Sequence, residues 1–282
     1  MGRGRSARSS ELLRIGCELA LDFFRAWRGD HDAIDALVLL AVTRANVDGI
    51  VYSRELRTRF GGRNPIAPDD LRQPISIEIL AQGVRLPVSL VRKRVQGLEA
   101  RDKCRTPPAG MLITEQQVEA SHRLRVVEEV YELLRRTERQ LQGLGFLDTI
   151  QLPPGDEGLT GPPVRSAAAH GARYVLRLLG SVAAPIGDYV DALLVLELLR
   201  SDGRMRSPSQ LAAVAGLSPS VVARRLGRLV SDGVCTRERP GRVVCPADAA
   251  WLQACEARNE DDLFQLFAGL SEVGALTAMR RG

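Results

Sequence analysis

Apolar residues recur at helical spacing along most of the chain. Between residues 11 and 28 they share one helical face, at positions 12, 15, 19, 23 and 27, as in an amphipathic helix. A denser apolar run over 33–45 predicts a more buried helix. The pattern then predicts a short helix over 76–83, a second over 88–101 after a turn, and a long helix over 115–142.

The second half of the chain predicts the same order of elements. Helices are expected over 166–183, 188–201, 208–215, 219–232 and 247–280, the last of them broken near Asn259. In each half an alternating stretch follows the two short helices, over 103–114 and over 234–245, and a proline–glycine turn inside it indicates a β-hairpin. The predicted fold class is therefore mainly α with small β-hairpins.

Three segments repeat in the same order, which indicates an internal duplication. Asp32–Leu37 returns as Asp188–Leu193, an offset of 156. Residues 76–105 align without gaps on 207–236, an offset of 131, and nine of those thirty positions are identical. Residues 129–134 resemble 262–267. The fall in offset predicts about 25 extra residues in the first half, near 47–73, which we call the insertion.

The duplication predicts two domains joined by a loop. Residues 143–163 are dense in glycine and proline, which is typical of a linker rather than the interior of an element. We predict a first unit over 1–150, a linker over 151–163 and a second unit over 164–282.

The two short helices of the second half have the spacing of a helix-turn-helix. Leu211 and Ala212 would bury the first helix, and Gly216 would relieve the turn. Val222, Leu226 and Leu229 would hold down the second helix, and a glycine at 233 would end it. Ser218 can cap the helix that Pro219 opens. Helix, tight turn, helix and hairpin in this order predict a winged helix-turn-helix.

This segment resembles the DNA-binding core of the multiple antibiotic resistance regulator (MarR) family. The family pattern is represented here by Leu217, Ser218, Ser220, Val222, Arg224, Arg228 and Leu229. The first half is a poorer copy, because Pro87 replaces the capping serine, Gly97 stands opposite Arg228, and Asp102 replaces the terminal glycine. The resemblance covers about 30–40 residues of each half.

The resemblance implies a transcription regulator that binds double-stranded DNA. Members are usually homodimers, whereas one chain here supplies both units, so we expect two tandem winged helices flanked by long helices as a pseudo-dimer. Two different half-sites roughly 10 base pairs apart would follow. The expected recognition-helix contacts are Ser89, Arg92, Lys93, Ser218, Ser220, Arg224 and Arg228. The expected wing contacts are Lys103, Arg105, Arg237, Arg239 and Arg242.

The distribution of charge favours the same surface independently. The net charge of the whole chain is +5, yet residues 88–106 and residues 219–242 each carry a local +4. The remainder is therefore net −3. Positive charge lies where phosphate neutralisation would need it. Two of these arginines, Arg94 and Arg225, sit beside the core face, and the alternative for them is a buried or salt-bridged position.

The insertion has a basic cluster of its own. Arg57, Arg59 and Arg63 precede Pro65, and Arg54 lies in the same cluster. One interpretation is a solvated helix and loop, and the other is an extra contact to phosphate or the minor groove. Under the second, alanine at Arg57, Arg59 and Arg63 would weaken DNA binding and its dependence on salt.

The composition gives little indication of other kinds of function. Hydrophobic residues make up 45% and charged residues 26%, which is typical of globular proteins, and no apolar run reaches the length of a membrane span. Five scattered cysteines indicate a reducing cytoplasm, with nucleoid association implied by DNA binding. Three isolated histidines predict no metal site. We expect no cofactor and no enzyme, and a thiol switch at Cys104 or Cys235 remains an alternative.

Two alternatives concern partners. Winged helices also serve as protein-binding adaptors in transcription or chromosome-associated complexes, and the degenerate first half would suit that role. The apolar terminal helix would serve either a homodimer or packing within the chain, through Leu263, Phe264, Leu266, Phe267 and Leu270. The sequence does not indicate an effector, an operator, or repression as against activation.

Overall fold

A computed structural model describes residues 2–119, 121–155, 161–201, 207–239, 242–246 and 249–276, and these are mainly helical. The first half contains α1 (Gly2–Arg28), α2 (Ala33–Tyr52), α3 (Arg54–Phe60), α4 (Ile77–Val84), α5 (Val88–Glu99), α6 (Glu115–Glu119) and α7 (Ser121–Gly143). The second half contains α8 (Val164–Ile186), α9 (Tyr189–Arg200), α10 (Pro208–Ala215), α11 (Pro219–Ser231), β1 (Thr236–Arg239), β2 (Arg242–Val244) and α12 (Ala250–Glu272).

Polar side chains fix where matching helices of the two halves begin. Asp32 caps α2 by accepting from the backbone N–H groups of two residues in its first turn, and Asp188 caps α9 in the same way. Ser76 caps α4 and Ser207 caps α10. Each cap satisfies N–H groups that have no partner inside the helix. The predicted starts of these helices are correct to within one residue.

Four long helices, α1, α7, α8 and α12, form the centre of the molecule. Helix α1 packs on α7 of its own half and on α12 of the other, and α8 packs on α12 and α7. Helix α2 lies against α8, and α9 lies against α1. These contacts between the halves therefore occur in matched pairs, and one continuous hydrophobic core runs through both.

The terminal helix α12 is continuous, so the predicted break near Asn259 is wrong. The side chain of Asn259 is fully buried. Its amide nitrogen donates to the Leu12 carbonyl at 3.0 Å, and its amide oxygen accepts from the Tyr174 hydroxyl at 2.7 Å. Neighbouring helices thus satisfy this polar group without any interruption of the helix.

The apolar residues of α12 pack within the chain. Leu263, Leu266, Phe267 and Leu270 are buried, and Phe264 is half-buried. Packing within the chain, one of the two alternatives for this helix, therefore accounts for most of its apolar face.

The two predicted hairpins differ in regularity. In the second half, β1 and β2 pair antiparallel, with Thr236 opposite Val244. In the first half the prediction of a hairpin over 103–114 is wrong in detail, because isolated bridges replace strands, between Arg105 and Leu112 and between Ile75 and Met111. Prolines at 107 and 108 remove backbone donors from this segment, although the expected turn forms.

The insertion ties the first half to the second. It contains the end of α2, all of α3 and a short 3₁₀ turn at Asp69–Leu71. The carbonyl of Gly61 accepts from the backbone N–H groups of Arg165 at 2.9 Å and Ser166 at 3.1 Å. Since no side chain caps the start of α8, this carbonyl satisfies two of its unpaired N–H groups.

Burial of His170 in α8 predicts a loss of stability in acid. Desolvation, the largest cause, lowers the pKa of His170 to about 4, with the charges of Arg173 and Arg57 adding to the effect. The unfolded chain, whose histidine titrates near pH 6.5, then binds more protons than the folded chain. Stability from this residue is complete above about pH 6.5 and is lost as the pH falls towards 4.

We expect the free energy of unfolding to fall by about 2 kcal/mol through His170 between pH 7 and pH 5. Urea titrations of the wild type and of His170→Gln at several pH values measure this contribution. The glutamine variant should show the shallower dependence on pH, and equal slopes in the two proteins would contradict the assignment.

Candidate nucleic-acid interface

Helices α10 and α11 meet across a tight turn. Gly216 adopts a left-handed conformation with φ of 69°, and the N–H of Leu217 then returns to the Ala212 carbonyl at 3.0 Å. Small Ala215 is buried between the helices. The inner face of α11 is held against the core by Val222, Leu226 and Leu229, all of them buried.

The outer face of α11 is exposed and polar. Ser218 caps the helix by accepting from the Val221 N–H at 3.4 Å, and its hydroxyl lies 3.2 Å from that of Ser220. Arg224 is exposed and has no hydrogen-bond or ion-pair partner among the residues that the structure describes. These three predicted contacts therefore lie together on one accessible surface.

Two further arginines of α11 bind carboxylates at the start of α9. Arg225 donates to Asp188 and to Asp191, each at 2.8 Å, so the alternative of a salt-bridged Arg225 is confirmed. Arg228, predicted to contact DNA, forms an ion pair with Asp191, and half of its side chain stays exposed. Asp191 is fully buried, and packing of α11 against α9 brings both guanidinium groups to it.

The first half has the same backbone geometry at its equivalent positions. Arg85 stands opposite Gly216 in the repeat and adopts φ of 53°, and Asp102 stands opposite Gly233 with φ of 52°. In the described residues these are the two non-glycine residues with positive φ. The Leu86 N–H donates to the Ala81 carbonyl at 3.0 Å, as Leu217 donates to Ala212.

The ion-pair cluster is also present in both halves. Arg94, the equivalent of Arg225, binds Asp32 and lies 3.4 Å from Asp35. A further guanidinium, that of Arg101, binds Asp35 at 2.6 Å. The alternative of a salt-bridged Arg94 is therefore confirmed. The aspartates that bind these arginines were not among the predicted site residues. The Asp-x-x-Asp segment that occurs in both halves could have indicated them.

The outer face of α5 carries the other predicted recognition residues. Ser89, Arg92 and Lys93 are all exposed. Arg92 forms an ion pair with Glu78 at 3.0 Å, whereas Lys93 has no such partner in the described part of the chain. Lys93 occupies the repeat position of Arg224. Each half therefore presents one unpaired cation at the same place on its second short helix.

The wing residues are only partly described. Arg105 and Arg237 are exposed, and Lys103 is half-buried at the end of the turn after α5. The side chains of Arg239 and Arg242 lie outside the described residues, although their backbones pair in the second hairpin.

The arginines of the insertion do not form one accessible basic patch. Arg57 is buried and binds Glu272 of α12 at 2.9 Å, so its predicted contact with DNA is wrong. It shares the inner face of α3 with Phe60, three residues on, and this spacing was a signal for burial. Arg59 stacks on the Phe60 ring, and Arg63 binds Glu128 at 2.6 Å.

The buried cysteines behave as small hydrophobic residues. Cys104 and Cys235 occupy equivalent positions in the repeat, and both are almost fully buried. Burial raises the pKa of the Cys104 thiol to about 12. Cys235 and Cys245 face each other across the second hairpin with their sulfur atoms 3.5 Å apart.

The segment that contains α10 and α11 matches a known DNA-binding module. Residues 192–234 match the family model for winged helix-turn-helix DNA-binding. This range begins within α9 and ends at Val234, just after α11. The second half therefore carries a winged helix-turn-helix DNA-binding domain. No curated protein and no solved structure matches the chain.

Among the residues that the structure describes, no helix is long and apolar enough to cross a membrane. Nor do the described residues hold a group of three or more histidine, cysteine or acidic side chains suited to a metal ion.

The positive φ of Arg85 predicts a stabilising substitution. A Cβ in the left-handed region costs about 1–2 kcal/mol, part of which glycine loses again through its freedom in the unfolded chain. We therefore expect Arg85→Gly to raise the free energy of unfolding by about 0.5–1 kcal/mol. Gly233→Ala, where an added Cβ meets no atom within 4 Å, should lower it similarly. Denaturant titrations measure both, and a destabilised Arg85→Gly would contradict the argument.

Removal of Asp191 should be costly, because its buried carboxylate pairs with both Arg225 and Arg228. We expect Asp191→Ala to lower the free energy of unfolding by about 3 kcal/mol. Arg224→Ala, on the exposed face of the neighbouring helix, should change it by no more than about 0.5 kcal/mol. Thermal unfolding of the two variants compares them directly, and equal effects would refute a structural role for the cluster.

Proposed function

We propose that this chain is a sequence-specific regulator of transcription that binds double-stranded DNA through two non-identical winged helices. The observation that carries the proposal is the outer face of α11. Within the matched domain, Ser218, Ser220 and Arg224 are exposed on one polar surface, and Arg224 has no partner in the described residues. The guanidinium group of Arg224 can therefore bind guanine or phosphate without first breaking an ion pair.

Three paired features support a second winged helix in the first half. The left-handed turn residues, the Asp–Arg clusters and the unpaired cations Lys93 and Arg224 recur at equivalent positions. The conformational preferences of the individual residues do not explain this recurrence. Arg85 and Asp102 disfavour the left-handed conformation that glycine adopts at the equivalent positions of the second half. Duplication of one MarR-like unit accounts for all three features.

The reciprocal packing of α1, α7, α8 and α12 supports the pseudo-dimer. Contacts between identical subunits related by a two-fold axis occur in matched pairs, and the contacts between the halves here follow that pattern. In this proposal the covalent pair replaces a homodimer, and the recognition helices enter successive major grooves about 10 base pairs apart. No cofactor, metal ion or catalytic step belongs to the proposal.

One observation favours a different role for the first half. Ile79 on α4 and Val88 at the start of α5 are 61% and 39% exposed, and Arg92 is paired with Glu78. Exposed apolar side chains beside a neutralised arginine suit a protein partner better than phosphate. The alternative is therefore an adaptor in which only the second half contacts DNA.

Selection from a pool of random duplexes at physiological salt tests the proposal with the full-length protein. We expect an enriched site with two different halves. Enrichment of one half-site alone would support the adaptor role of the first half. Failure to enrich any sequence would contradict sequence-specific binding, because nonspecific attraction to a +4 surface does not select bases.

Substitution of the two unpaired cations measures their contacts. Arg224→Ala should weaken binding to the selected site by about 5- to 100-fold, and its slope of log affinity against log salt should fall by about one if it binds phosphate. Lys93→Ala should have an effect of the same kind if the first half contacts DNA. Arg139→Ala, which removes an exposed arginine of α7, is the matched control and should change neither quantity.

A further inference from the structure

An exposed ion pair joins the two short helices of the first half. Arg92 of α5 donates from its Nη2 to the Oε1 of Glu78, in the first turn of α4, over 3.0 Å. The side chains of Arg92 and Glu78 are 53% and 62% exposed. The repeat places Ser209 and Ala223 at the equivalent positions of the second half, so both members of the pair are particular to the first half.

The stability of the first half does not account for this pair. Ion pairs between exposed side chains contribute little to folding, because water screens them and two long side chains lose their freedom. Helix α5 is already held by the ion pairs of Arg94 with Asp32 and with the buried Asp35. The pair between Glu78 and Arg92 therefore adds little to the position of α5.

The phosphate backbone does not account for the pair either. Its two charges cancel, so it would release no counterions from DNA. A carboxylate only accepts hydrogen bonds, and phosphate oxygens are acceptors as well. The unpaired cations Lys93 and Arg224 already give both halves a positive charge at the equivalent position. The pair adds a pattern of donors and acceptors instead of net charge.

That pattern matches the groups that G·C base pairs present in the major groove. Guanine offers the acceptors O6 and N7, and cytosine offers the amino donor at N4. One N–H group of Arg92 is used by Glu78, which orients the guanidinium and leaves its other donors free. The second carboxylate oxygen of Glu78, Oε2, has no partner among the described residues, so it can accept from a cytosine amino group.

We propose that Glu78 and Arg92 form one base-reading unit, in which Arg92 binds a guanine and Glu78 binds a neighbouring cytosine. The inference rests on the proposed function and adds a base preference that makes the two half-sites differ. Arg92 supplies attraction to guanine. Glu78 supplies discrimination, because its charge is unfavourable wherever a base presents an acceptor to it. The second half, with Ser209 and Ala223, lacks this preference at the equivalent position.

Repeated selection from random duplexes with full-length variants tests the unit. Arg92→Ala should lose a preference for G·C at one position of the first half-site and bind the wild-type site about 5- to 100-fold more weakly. Glu78→Ser removes a negative charge near DNA, so it should bind sites with A·T at that position more tightly than the wild type does. Its discrimination between G·C and A·T there should fall about tenfold. Glu132→Ser, which removes an exposed acid of α7, is the matched control and should change neither quantity.

Transfer of the pair to the second half is an independent measurement. The turns of the two halves share a left-handed conformation, so Ser209→Glu combined with Ala223→Arg should give the second half-site the same preference for G·C. If a first-half variant fails to fold, the transfer variant decides alone.

The outcomes separate this inference from the proposed function. Unchanged base preferences in both first-half variants would overturn the inference and leave sequence-specific binding intact. A folded transfer variant whose second half-site keeps its original bases would do the same. A wild type that selects only the half-site of α11 would also overturn it, and would support the adaptor role of the first half. A wild type that selects no sequence would overturn both.

Discussion

The architecture depends on the ion pairs that join the start of one helix to the side of another. Asp188 and Asp191 begin α9 and bind Arg225 of α11, and the equivalent acids Asp32 and Asp35 bind Arg94 of α5. One carboxylate in each cluster also caps its own helix. The ion pairs therefore fix each second short helix to the helix that packs on the centre of the molecule, and its outer face stays exposed. Since burial of one partner alone would be costly, each cluster acts as a unit.

The four central helices set the distance between the two ion-pair clusters. Helices α1 and α8 each pack on the last helix of both halves, so the two short-helix pairs cannot move apart without disruption of the core. A homodimer achieves the same rigidity with identical subunits. In the proposed pseudo-dimer the two halves are free to differ, and their differences include a glycine at position 97, where the second half has Arg228, and the insertion in the first half.

The sequence predicted local features well because they depend on neighbouring residues. Helix positions, the left-handed turn at Gly216 and the inner face of α11 follow from spacing and from caps, and the two salt-bridged arginines follow from their place beside that face. The errors concern partners that are distant in the chain. Asn259 is satisfied by Tyr174 and Leu12, and Arg57 by Glu272. No local pattern specifies these contacts, because each depends on how helices that are distant in the chain meet.

The central claim is that one chain presents two winged helices at a fixed separation. The most direct measurement is the stoichiometry of the complex, by native mass spectrometry, on a duplex with both half-sites and on one with five extra base pairs between them. The account predicts one chain per duplex with the original spacing. It also predicts a large loss of affinity after the half-turn insertion, since a rigid pair cannot follow both grooves. Two chains per duplex, or an affinity insensitive to spacing, would contradict it.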